Sequence, residues 1–147
     1  MKIKGLLSIG VTDILGTGIS GIFWFFMATL IDPENFGEIF YIIGIASLVS
    51  YISLIGTQDT IIVYVAKKIK IQSTLNVISL VIGGISLVII ITIFDRIDVG
   101  FLLLAFVINT LAIGDLLGRN LYSSYSKYFL IQKILTLVLG FGFYYLF

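Results

Sequence analysis

The chain has 147 residues, 59% of them apolar, 12% charged and none of them cysteine or histidine, with a formal net charge of +1. A soluble domain is about a quarter charged, so this composition, with a mean hydropathy of +1.17, points to lipid as the solvent. It excludes a disulfide framework, thiolate or imidazole metal ligands and a Ser/His or Cys/His nucleophile pair, and it gives no electrostatic footprint for nucleic acid.

Crossing a hydrocarbon core about 30 Å thick takes roughly 20 apolar residues at about 1.5 Å each. Stretches at residues 6–31, 36–65, 75–94, 99–117 and 129–147 meet that requirement and are apolar nearly all round. The start, "MKIKGLLSIGVTDIL", has the basic flank of a signal peptide, but Asp13 interrupts its apolar region and no small-x-small cleavage site follows. An uncleaved signal-anchor span is expected. "GTGISG" at residues 16–21 then supplies small residues for close helix contact or for bending.

"IDPENFGEIF" at residues 31–40 reads as a turn. Pro33 disfavours helix at Asp32 and suits a first helical turn, and Glu34 and Glu38 fall near the positive end of the helix dipole that follows. The second predicted span carries Ala46, Ser50, Ser53, Thr57, Thr60 and Tyr64 at alternating steps of three and four. That spacing predicts one face of small and hydroxylated side chains, which either packs against another helix or lines a polar cavity. The basic connection "AKKIKIQS" leads to the third span, and "DRID" to the fourth. The fourth ends in "GDLLG", a GxxxG from Gly114 to Gly118, with Asp115 one turn before Arg119 and able to pair with it. "RNLYSSYSK" opens the last span, and its Tyr122, Tyr125 and Tyr128 around Lys127 suit a headgroup-level belt or the stacking of sugars.

Short connections turn each helix back beside its predecessor. The expected fold is therefore an all-α integral membrane protein, a single domain of about five antiparallel transmembrane helices. Lys2, Lys4, Lys67, Lys68, Lys70, Arg119, Lys127 and Lys133 fall on one side of this array, and the opposite side receives Arg96 among Asp32, Glu34, Glu38, Asp95 and Asp98. By the positive-inside tendency the N-terminus is cytoplasmic. Ionisable groups within spans are costly enough to count as functional candidates. Asp13, Asp59, Asp115 and Arg119 qualify, all toward the cytoplasmic halves of their spans, where together they predict a polar, partly cationic pocket open to the cytoplasm. No catalytic residue, metal site or cofactor is expected, and an enzyme is the least favoured class.

The outer "I-D-P-E-N-F-G", the second-span ending "L-I-G-T-Q-D-T-I-I-V-Y-V-A-K" and the later "G-R-N-L-Y-S-S-Y-S-K-Y" together resemble the N-terminal part of the polysaccharide biosynthesis and export family. These are the lipid-linked oligosaccharide flippases of the multidrug/oligosaccharidyl-lipid/polysaccharide superfamily. Residues 32–37 match its "SPEEYG"-like turn and residues 56–67 its "GLxxAxxRYxAK"-like segment, with Val63 where the family often has arginine. The resemblance implies the first, incomplete bundle of a larger two-bundle transporter that moves a polyprenyl-pyrophosphate-linked glycan across the cytoplasmic membrane, commonly with a proton or sodium gradient as the coupling ion. Its partners would be the bilayer, the lipid-linked glycan and the remaining helices of the full-length transporter. By position it makes Asp13, Gln58, Asp59, Asp115 and Arg119 the cavity candidates, with Arg119 the phosphate partner among them. A multidrug or metabolite exporter of the same superfamily and a non-transporting membrane scaffold are the other readings of the same spans.

Overall fold

The computed structural model describes residues 3–69 and 71–146. Lys2 and Lys70 of the basic set, and Phe147 at the end of the fifth predicted span, lie outside the described residues. The element order is α1 (Ile3–Leu30), α2 (Pro33–Leu54), α3 (Thr57–Ala66), α4 (Gln72–Phe94), α5 (Ile97–Gly118) and α6 (Tyr122–Leu146), with no strand among the described residues. All but α3 are long and apolar enough to cross a membrane. Large apolar side chains such as Phe25, Val88, Phe101 and Leu135 face outward, which suits lipid and would be unfavourable in water. The chain is an all-α, multi-pass integral membrane protein.

The turn at Pro33 forms as its chemistry requires. Helix α1 stops at Leu30, Pro33 opens α2, and the Asp32 carbonyl accepts the first helical bond from Phe36 N–H at 2.9 Å. The second predicted span, by contrast, is not one helix. Ile55 (φ 45°) and Gly56 (φ 69°) both enter the left-handed region, separating α2 from α3. Glycine carries that conformation without steric cost; a β-branched residue pays about 1–2 kcal/mol for it. The break is held by Ile55 N–H donating to Ile52 O at 3.2 Å and by the Thr57 hydroxyl donating to Leu54 O.

The hydroxyl face is buried in part. Ala46, Ser50, Ser53 and Thr57 are buried as the spacing predicts. Beyond them the buried position is Ile61, a step of four from Thr57, while Tyr64 is exposed.

The chain divides into two compact units, Met1–Phe36 with Leu121–Phe147, and Gly37–Asn120. In the first, α1 and α6 run parallel: Ser8 meets Ser126 (hydroxyl oxygens 2.9 Å apart) at one end, and the Tyr144 hydroxyl donates to Leu30 O at 3.1 Å at the other. Parallel pairing is what the first and fifth spans of an up-and-down chain make. Glycines let the helices approach: the Tyr122 ring lies over Gly5, Phe129 over Gly16 and Phe23 over Gly140. Phe23 also packs edge-on against Phe141 at 5.9 Å between centroids.

The second unit is organised on α5. Its buried row, Val99, Gly100, Leu103, Val107, Leu111, Gly114 and Gly118, recurs every three or four residues, one continuous stripe of a 3.6-residue helix. Helix α4 runs antiparallel along it, with Ile91 and Leu87 over Gly100 and Val107 against Gly83. Helix α3 lies on the Gly114–Gly118 end, where a Cβ at Gly118 would sit 2.9 Å from Val65 Cβ and 3.2 Å from Ile61 O. The GxxxG is therefore a packing surface. Hydroxyls tie α4 to its neighbours, through Ser53 to Ser86 at 2.8 Å and Ser79 to Thr57 at 2.9 Å. Within lipid such bonds replace the hydrophobic drive that water would supply.

Charge is segregated along this unit. One end holds Lys67, Lys68, Asp115 and Arg119; the other holds Glu38, Asp95, Arg96 and Asp98. There Arg96 bridges Asp98 at 2.7 Å and Glu38. Those carboxylates, Asp98 first and then Glu38, raise the guanidinium further above its already high pKa, so Arg96 stays charged at any working pH.

Candidate functional site

Within the second unit, two clefts carry the polar side chains. The first opens at the junction of α3, α4 and α5, has a volume of about 360 Å³ and is lined by Val65, Lys68, Ile69, Gln72, Ser73 and Arg119. Its geometry follows from the hairpin of α4 and α5, which brings the start of one beside the end of the other. There the Gln72 amide donates to Asp115 Oδ1, Arg119 Nε donates to the same oxygen at 2.7 Å, and Arg119 Nη2 donates to Gln72 Oε1 at 3.3 Å. The three side chains close a ring of hydrogen bonds. Such a ring restricts the guanidinium's rotamers, so less entropy is lost when it meets an anion. Lys68, at φ 60° in the turn after α3, adds a second cation.

The second cleft, about 260 Å³, lies beside the α2–α3 break. Ser47 and Ser50 come from α2, Gln58 and Asp59 from α3, and Thr110 from α5. The close approach of α5 backbone at Gly114 fixes Gln58, whose Cγ and carbonyl oxygen would lie 3.4 Å from any Cβ added there. No lysine or arginine is among the described residues lining this cleft.

Sequence pairing of Asp115 with Arg119 is thus present, and so is the neighbourhood of Gln58 and Asp59. The pairs do not share one pocket: Gln58 and Asp59 line the cleft at the break, and Arg119 lines the cationic one. Asp115 also faces a separate groove with Gln72, Asn76, Leu80, Ile108, Leu111 and Ala112. In that groove Asn76 Oδ1 is buried and accepts no hydrogen bond, the sole such side-chain atom among the described residues.

Asp13 belongs to the first unit and has a specific partner there. The Tyr125 hydroxyl donates to its Oδ1 at 2.7 Å, and the Tyr125 ring stacks on Phe129 at 5.7 Å between centroids. Tyr125 is buried and does not stand in a headgroup belt; the more exposed Tyr128 retains that option. A carboxylate with no opposite charge nearby in sequence is therefore held by a neutral donor.

Gln72 and Ser73, and Ser47 and Thr110 in the other cleft, were not singled out by sequence reasoning, and Lys68 figured there only as an orientation marker. The available signal was pairing rather than motif: folding the chain at Asp95–Arg96 sets Gln72 opposite Asp115, and breaking it at Gly56 sets the serines of α2 beside Asp59. No family model, curated protein or solved structure matches the chain.

Proposed function

We propose that the chain serves a membrane transporter that moves polyprenyl-pyrophosphate-linked oligosaccharide across the cytoplasmic membrane for surface polysaccharide or glycoprotein synthesis. The observation that carries this reading is the cationic cleft of Lys68, Gln72, Ser73 and Arg119. Guanidinium and ammonium groups recognise phosphate oxygens by charge-assisted hydrogen bonds, and Arg119 is already oriented by Asp115 and Gln72. The motif resemblance at residues 32–37 and 56–67 supports the same reading. Moving an intact lipid-linked substrate makes and breaks no bond, so the reading needs no nucleophile and no cofactor.

The charge segregation of the second unit supports a cytoplasmic position for the cleft, because Lys67, Lys68 and Arg119 share its end and basic residues are retained inside. In this reading the N-terminus is cytoplasmic and the turn at residues 31–35 faces outward. These 147 residues contain no cysteine, so Asn35→Cys adds one labelling site among them. Labelling of intact cells by a membrane-impermeant thiol reagent is expected, and labelling only after lysis overturns the orientation.

Function is tested in the cells that make the glycan. Arg119→Ala and, separately, Lys68→Gln are expected to deplete surface glycan and to accumulate its lipid-linked precursor at unchanged protein level in the membrane. Normal surface glycan in both variants at normal protein level removes the cleft from the transport path.

A further inference from the structure

We propose that the cleft at the junction of α3, α4 and α5 holds the phosphodiester headgroup of an anionic bilayer phospholipid, with Lys68 and Arg119 as its charge partners. This ligand is a resident of the membrane rather than a transported cargo, so the inference goes beyond the flippase reading. The turn after α3 carries the argument. Lys68 N–H donates to Val65 O at 2.9 Å and Ile69 N–H to Tyr64 O at 3.0 Å, the paired bonds that close a helix end through one residue in the left-handed region. That residue is Lys68, at φ 60°. Glycine is the usual occupant because it takes this conformation without steric cost, whereas a Cβ strains it. Strain kept at a cleft points to a use for the side chain, and Lys68 lines this one with Arg119.

Charge sets the class of ligand. Lys68 and Arg119 bring positive charge to the lining, and Asp115, 2.7 Å from Arg119 Nε, offsets one of the two. A phosphodiester carries a single negative charge, the complement of what remains, and its oxygens accept charge-assisted hydrogen bonds. A zwitterionic headgroup brings an ammonium of its own, which these cations repel. The start of α4 adds to the attraction. No side chain caps that helix, and Leu75 N–H makes its first bond, to Ile71 O at 3.0 Å, so the amides of Gln72, Ser73 and Thr74 precede it at the positive end of the helix dipole.

The apolar part of the lining separates a lipid from a free anion. Val65 and Ile69 stand beside the cations; a free phosphate leaves them bare, whereas the glycerol and first methylenes of a phospholipid cover them. A volume of about 360 Å³, at about 30 Å³ per water-sized group, takes a phosphate together with its glycerol arms. Basic pockets between the ends of membrane helices are where anionic headgroups bind.

The test follows thermal unfolding of the full chain in nanodiscs of phosphatidylcholine, alone or with increasing phosphatidylglycerol, at constant ionic strength. A saturable rise in the unfolding midpoint with phosphatidylglycerol is expected, because a ligand that binds only the folded state stabilises it. Lys68→Gly should leave the midpoint in phosphatidylcholine equal or higher, since it relaxes the turn. The same variant should weaken the apparent affinity for phosphatidylglycerol by about tenfold, as loss of one charge-assisted hydrogen bond does. Lys67→Gln removes the same charge one residue away, outside the cleft lining, and should keep the response. Equal midpoints with and without phosphatidylglycerol overturn the proposal, as does an affinity that Lys68→Gly leaves unchanged or that both variants weaken equally, the mark of a general surface potential. A rise given by inorganic phosphate in phosphatidylcholine nanodiscs assigns the cleft to a free anion and overturns the lipid. If Lys68→Gly does not fold, Lys68→Gln carries the comparison with Lys67→Gln. No glycan enters the measurement: its failure leaves the flippase reading to the surface-glycan assay, and failure there leaves this site standing.

Discussion

The α1–α6 pair and the four-helix unit solve one problem with different materials. Both bring helices close by placing glycine at the contact, since in lipid packing and hydrogen bonding replace the hydrophobic drive. In the pair, the glycines lie under rings: Tyr122 over Gly5, Phe129 over Gly16 and Phe23 over Gly140. In the four-helix unit, Gly114 and Gly118 meet backbone and Cβ atoms of α3. A ring can turn about its side-chain torsions; a backbone carbonyl moves only with its helix. The first unit should therefore tolerate change at its contacts better than the second.

Adding one methyl group to each contact tests that difference most strongly. Gly118→Ala sets a Cβ 2.9 Å from Val65 Cβ and 3.2 Å from Ile61 O, so α3 must shift. Overpacking of this kind costs about 1–3 kcal/mol, more than the roughly 1 kcal/mol that alanine gains over glycine in a helix. Gly16→Ala displaces the Phe129 ring and should cost less, and Gly18→Ala, with open space around it, should be neutral or stabilising. Unfolding in detergent by heat or by added denaturing detergent ranks the three. Stability of Gly118→Ala equal to that of the unaltered chain, or a larger loss in Gly16→Ala, would break the comparison.

Polar contacts extend the contrast at a smaller scale. In the four-helix unit, Arg119 and Asp115 pair at 2.7 Å, with side-chain exposures of 53% and 28%. Arg119→Met strands the more buried partner beside a single amide, whereas Asp115→Leu leaves a guanidinium that can extend toward water. The arginine variant should therefore lose more stability, by about 1 kcal/mol once solvent screening is allowed for. Equal losses would mean that the ring with Gln72 holds neither charge in particular.

In the α1–α6 pair the corresponding contact is Tyr125 to Asp13. Tyr125→Phe removes one hydrogen bond and leaves the ring stacking intact, so a loss of about 0.6–1.7 kcal/mol is expected, the range for such bonds between membrane helices. If Asp13 is there for this contact, adding Asp13→Leu to Tyr125→Phe should restore part of the loss, because no carboxylate is then left without its donor. A further loss of stability in the double variant would give Asp13 another partner.

The spans were legible because an apolar run long enough to cross lipid leaves little else to form. The break at Ile55–Gly56 was not. Glycine is tolerated inside membrane helices, and the apolar pattern resumes on both sides of "GTQDT". The hydroxyl face read correctly as far as Thr57 and failed at Tyr64, because steps of three and of four are both compatible with a 3.6-residue helix and the buried position after Thr57 is Ile61. Asp115 and Arg119 could be joined from sequence because their spacing alone makes them neighbours on a helix. Gln72 could not, since its place beside them depends on which helices pair. Likewise the parallel partnership of α1 with α6, and the inward turn of Tyr125, depend on contacts between residues more than 100 positions apart.

The smallest expected effect concerns Asn76, where the four-helix unit has a defect with no counterpart among the described side chains of the pair. Its Oδ1 is buried without a donor, beside Leu80, Ile108 and Leu111. An unpaired buried acceptor costs about 1–3 kcal/mol, and replacing it with an apolar group of similar shape removes that cost. Asn76→Leu keeps the same branched skeleton, and its larger methyl groups can extend into the groove beside Leu80, Ile108 and Leu111, so it should leave stability unchanged or raise it by up to about 1 kcal/mol. That sign is unusual for a substitution inside a helix bundle, where most changes destabilise. A clear loss of stability instead would show that Asn76 is hydrogen-bonded in the membrane, and the four-helix unit would then have its polar groups as fully matched as the pair does.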